Sequence, residues 1–73
     1  MASNLLKCIY QYEQEGIRFQ TQAVFKKGQY PAQSVVSCRF PEGTSKEEVE
    51  KHFQRFIRVV FKDLVERGAK VRQ

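Results

Sequence analysis

The sequence predicts an α+β fold: a three-stranded antiparallel meander followed by one long C-terminal helix packed on the sheet, in the order β-β-β-α. Three observations carry this expectation. Apolar side chains alternate with polar ones through three segments, near 5–12, 17–26 and 34–40. Glycine, proline and polar residues separate those segments, at 14–16 and 27–31. From 45 to 67 the apolar period lengthens to 3.6 residues, and that stretch carries cap signals at both ends.

In the first segment Leu6, Cys8, Tyr10 and Tyr12 share one face, and in the second Ile17, Phe19, Thr21, Ala23 and Phe25 do. Gln14, Glu15 and Gly16 lie between them. Gly16 adopts positive φ at low cost, so the junction reads as a short hairpin connection. Lys27 and Gly28 end the second strand, and Pro31 argues against continuing the ladder through the connector. The third segment is expected to turn Val36, Cys38 and Phe40 inward. Pro41, Glu42 and Gly43 then stop the strands.

The helix start is doubly specified, because Thr44 with Glu47 and Ser45 with Glu48 both have capping-box spacing. Glu47, Glu48 and Glu50 suit its positive end, and Lys62 and Arg67 its negative end. Gly68 supplies the reversal, and 69–73 reads as a basic, frayed tail. Val49, Phe53, Phe56, Ile57, Val60 and Leu64 form the stripe expected to face the sheet. Val59 widens it on one flank and Phe61 and Val65 on the other. The arc exceeds what a narrow sheet covers, which points to helix-to-helix or helix-to-partner packing, with Phe56, Val59, Phe61 and Val65 at the contact.

With 73 residues the chain has room for one domain and one modest core. The hydrophobic gain and the ordering cost of so short a chain nearly cancel, so a partner subunit is a plausible source of stability. Cys8 and Cys38 are the only cysteines and read as buried reduced thiols. Neither they nor His52 form a motif with metal-ligand spacing, and no metal or cofactor site is expected. No N-terminal leader and no run of about 18 apolar residues is visible, so a cytoplasmic protein without a membrane span is expected.

The formal charge is +5, from 13 basic and 8 acidic residues, and it favours polyanionic partners. Alternation puts Lys7, Ile9 and Gln11, then Arg18, Gln20, Gln22, Val24 and Lys26, then Val35, Ser37 and Arg39, on the outer sheet face. Cations interleaved with amides and small apolar groups can meet phosphate and base together. Tyr30 in the connector is the candidate stacking residue. Lys26 and Lys27 at the hairpin edge, with Lys70 and Arg72 in the tail, form a secondary basic footprint that also serves turn solubility and edge protection.

Catalytic motifs are lacking. His52 reads as packed or interfacial, no nucleophile motif accompanies it, and there is no phosphate loop, dinucleotide fingerprint or calcium loop. The glutamates of the helix are explained by charge pairs and end electrostatics. The expectation is therefore a noncatalytic nucleic-acid-binding accessory protein acting as a homodimer or higher oligomer. Contacts are mainly sequence-independent and centred on Arg18, Gln20, Gln22, Lys26, Lys27, Tyr30 and Arg39, with single strands slightly favoured over duplex. The alternative is a protein-interaction adaptor or inhibitor that docks through the helix flank.

Overall fold

The computed structural model describes residues 4–71. It has the expected order: β1 (Leu5–Gln14), β2 (Ile17–Lys26) and β3 (Ala32–Arg39) form one antiparallel sheet with β2 in the middle, followed by α1 (Lys46–Glu66). Strand β1 runs two residues further than its alternation suggests. The turn is therefore only Glu15–Gly16, both at positive φ, 54° and 80°. Two left-handed residues match the twist of a tight hairpin, and Gly16 is required twice over, because a Cβ there would lie 2.8 Å from Pro41 Cγ.

The helix packs across β1 and β2 and leaves β3 uncovered. This asymmetry governs the molecule. On β2 the inward residues Ile17, Phe19, Thr21, Ala23 and Phe25 are all buried, whereas every residue of β3 is exposed. From the helix, His52, Phe56, Val60 and Leu64 descend onto the sheet. Phe56 stacks on Phe19 at 5.9 Å between centroids, and Tyr12 closes on both rings at 5.7 and 5.9 Å. Full burial of Phe56, Val60 and Leu64 contributes about 2 kcal/mol each, which fixes the helix on the sheet.

Ser45 is the N-cap, its hydroxyl accepting from the Glu48 amide at 3.1 Å, while the Thr44 hydroxyl instead donates to the Pro41 carbonyl. The other end is a Schellman closure: the Gly68 amide donates to Val65 and the Ala69 amide to Leu64, with Gly68 at φ 97°. The chain beyond is not frayed through residue 71. Ala69 is buried against the core, and Lys70 and Gly68 exchange backbone hydrogen bonds with Gln29 and Gly28 of the β2–β3 connector. Arg72 lies outside the described residues.

Strand β3 departs from simple alternation. Ser37 stands opposite Gln20 but Val35 opposite Thr21, so Val36 is an extra, unpaired residue and the register shifts there. The bulge brings Val35 to the helix side, where alternation had placed it outside, and removes Val36 from the inner set. Phe40 lies beyond the strand and is exposed. Cys38 is exposed as well, not buried, because no helix covers its strand; Cys8 is half-buried.

Candidate nucleic-acid interface

The sheet face opposite α1 carries no covering element among the described residues. Register places its side chains in cross-strand rows: Glu13, Arg18 and Arg39; Gln11, Gln20 and Ser37; Ile9, Gln22 and Ser34; Lys7, Val24 and Ala32; and Leu5 with Lys26. Arg18, Gln20, Gln22, Lys26 and Arg39 thus share one surface, as their alternation implies. Four cations, Lys7, Arg18, Lys26 and Arg39, surround an amide-rich centre.

Glu13 joins this face because β1 extends to Gln14. Its carboxylate accepts from the Arg18 guanidinium at 3.1 Å. Both side chains are more than half exposed, so the pair contributes little stability, but it occupies Arg18 in the free protein. Arg39 lies directly across from Arg18, a like-charge neighbour that raises the local demand for an anion. Lys7, Lys26 and Arg39, which carry no such carboxylate partner among the described residues, are consequently the cations most available to phosphate.

Tyr30 and Lys27 belong elsewhere. Tyr30, 54% exposed, stands beside Phe61, Pro31 and Gln33, with Lys70 Nζ 5.8 Å from its ring centre. The tyrosine therefore borders the helix side, not the bare sheet face. Lys27 runs its stem over Gly68, where a Cβ would lie 2.7 Å from Lys27 Cγ.

The expected helix contact also divides. Phe56 is buried inside the monomer, 3% exposed, and is no surface residue. Val59 lies toward β1, on the side where Tyr10 donates to Asp63, whereas Phe61 faces the β3 connector. Val65 is exposed further along. What the sequence reading missed is the groove between α1 and the uncovered β3. Phe53 and Ile57 form its wall and Thr21, Gln33 and Val35 its floor, and Phe61 continues it to Tyr30 and Val71. Its signal was the four-residue spacing of Phe53, Ile57 and Phe61; the missing piece was knowing that the helix would sit off-centre.

On the opposite flank, Tyr10 donates to Asp63 at 2.6 Å and Arg67 donates to the same carboxylate at 2.7 Å. The hydrogen bond from Tyr10, with the one from Arg67, holds the Asp63 carboxyl below the usual range. Burial, reinforced by Asp63, pushes the Tyr10 phenol well above its ordinary value. This cluster positions the helix on β1. The chain matches no protein-family model, no curated protein and no solved structure, so the reading of its function rests on its own geometry.

Proposed function

We propose that this chain is a noncatalytic, self-assembling nucleic-acid-binding module whose bare sheet face meets the polyanion. The observation that carries the proposal is the inequality of the two layers. One helix on three strands leaves the whole outer face open, with four cations and one carboxylate on it, and leaves β3 open beside an apolar groove.

A flat sheet offers phosphate a cationic surface and offers unstacked bases the amides of Gln20 and Gln22 and the apolar edges of Ile9 and Val24. Bases can meet so shallow a face without a groove-reading element, which favours single strands. Tyr30, placed on the helix side, does not supply the stacking platform.

Self-assembly rests on the open edge. Strand β3 is an edge of the sheet, every one of its residues is exposed, and the apolar groove of Phe53, Ile57 and Val35 runs beside it. A second copy is the fitting occupant: β3 can pair antiparallel with its own counterpart about a two-fold axis, extending the sheet and bringing both apolar grooves to the join. The extended sheet would carry two basic faces in one plane.

The test is an amide chemical-shift titration with a short oligonucleotide. Shifts concentrated on Lys7, Arg18, Gln20, Gln22, Lys26 and Arg39 support the assignment. Shifts concentrated on the groove around Phe53, Ile57 and Val35 overturn it and favour a protein- or peptide-docking module instead.

A further inference from the structure

His52 is 1% exposed, and its Nε2 makes no hydrogen bond. Two carboxylates converge on that nitrogen: Glu15 Oε2 at 3.3 Å, from the β1–β2 turn, and Glu48 Oε2 at 3.7 Å, from the first turn of α1. One ligand atom from each of the three residues lies within 4.8 Å of the other two. The Tyr12 hydroxyl lies against His52 Nδ1 and within 3.3 Å of Gln14 Oε1. When it donates to Gln14 it accepts from Nδ1–H, and Nε2 then turns a lone pair toward the two carboxylates, an arrangement that a cation between them satisfies.

We propose that Glu15, Glu48 and His52 form a zinc-class divalent metal site that ties the β1–β2 hairpin turn to the N-terminal half of α1. The separations fit: tetrahedral zinc with bonds of about 2.0–2.1 Å holds its ligand atoms about 3.3–3.4 Å apart, and small rotations of two exposed glutamates close the difference. Two carboxylates and a neutral imidazole balance a divalent charge. A nitrogen donor favours zinc over magnesium or calcium. With a metal on Nε2 the ring proton sits on Nδ1, where the Tyr12 oxygen is placed to accept it as the outer partner. Lys51 meets the other Glu48 oxygen, Oε1, at 3.5 Å and leaves Oε2 to the metal. The solvent side of the two glutamates leaves a fourth position for water.

The site also accounts for Glu15, a non-glycine residue at φ 54° in a turn where asparagine or glycine is cheaper. That gives a variant in which folding and metal binding move in opposite directions. The proposal is independent of the nucleic-acid reading, and its readouts involve no nucleic acid.

The experiment is calorimetric titration of the full chain with zinc chloride at neutral pH in a non-chelating buffer, with thermal melts and cobalt(II) absorption spectra in parallel. The expected result is one zinc per chain, a melting temperature raised by zinc, and a cobalt spectrum without thiolate charge transfer. Glu48→Gln and Glu15→Asn should each weaken zinc binding at least tenfold, while zinc-free Glu15→Asn melts no lower than the wild type. Absence of saturable zinc binding would overturn the proposal. So would wild-type affinity in both variants, or thiolate bands that assign the metal to Cys8 or Cys38.

Discussion

Replacing Arg18, Lys26 and Arg39 together with alanine removes three of the four cations on the bare sheet face and touches nothing in the core. The consequence follows from counterion release. If all four cations of a protomer meet single-stranded phosphate, the logarithm of affinity falls with the logarithm of salt at a slope of about −2.8; with Lys7 alone, the slope is about −0.7. Between 50 and 200 mM salt the wild-type protomer should then lose about 50-fold in affinity and the triple variant about 2.6-fold. Fluorescence anisotropy with a labelled oligonucleotide at four or five salt concentrations measures both slopes. Glu13→Gln supplies the opposite arm, because it frees Arg18 from its 3.1 Å partner before the oligonucleotide arrives and should tighten binding. A triple variant that keeps the wild-type slope would refute the assignment of this face, whatever its absolute affinity.

Ile57→Glu places a charge in the wall of the open groove and should separate copies of the chain at sedimentation equilibrium while leaving the circular dichroism spectrum unchanged. Cys38, exposed on β3, should react with a thiol reagent faster in that variant than in the assembled wild type. Gly68→Ala forces a side chain to φ 97° and pushes a Cβ against Lys27, so urea unfolding should show a loss of about 1–2 kcal/mol. The depressed pKa of Asp63 predicts an acid limb. Its contribution is fully present above the unfolded carboxyl range, near pH 4, and is lost as pH falls through the folded value; Asp63→Asn should flatten that limb in melts taken between pH 2 and 6.

The elements were legible because each was specified more than once. Helix α1 had its Ser45 cap, its 3.6-residue stripe and Gly68, and β2 had an unbroken alternation that the fold buries in full. Three features escaped for physical reasons. The extra residue at Val36 is invisible to a rule of two, and it moved Val35 from one face to the other. Lateral placement of the helix depends on how Phe19, Phe56 and Tyr12 stack across three elements, so the bareness of β3 and the exposure of Cys38 could not be read from periodicity. Of the Glu15–Glu48–His52 cluster, Glu48 and His52 share a helix face at i, i+4, but Glu15 lies more than thirty positions away and only the packing of the hairpin turn on α1 brings it in. The basic face was readable in its cations, since alternation alone sets their side, but the extension of β1 that adds Glu13 was not.

Native mass spectrometry at low salt, with and without a single-stranded oligonucleotide, duplex DNA and RNA, tests most directly the claim that one asymmetric packing creates both an assembly edge and a polyanion-binding face. The account predicts a dimer or a larger even assembly of the 8.6 kDa chain that takes up the single strand without dissociating. A chain that stays monomeric at micromolar concentration and acquires no nucleic acid of any kind would contradict it.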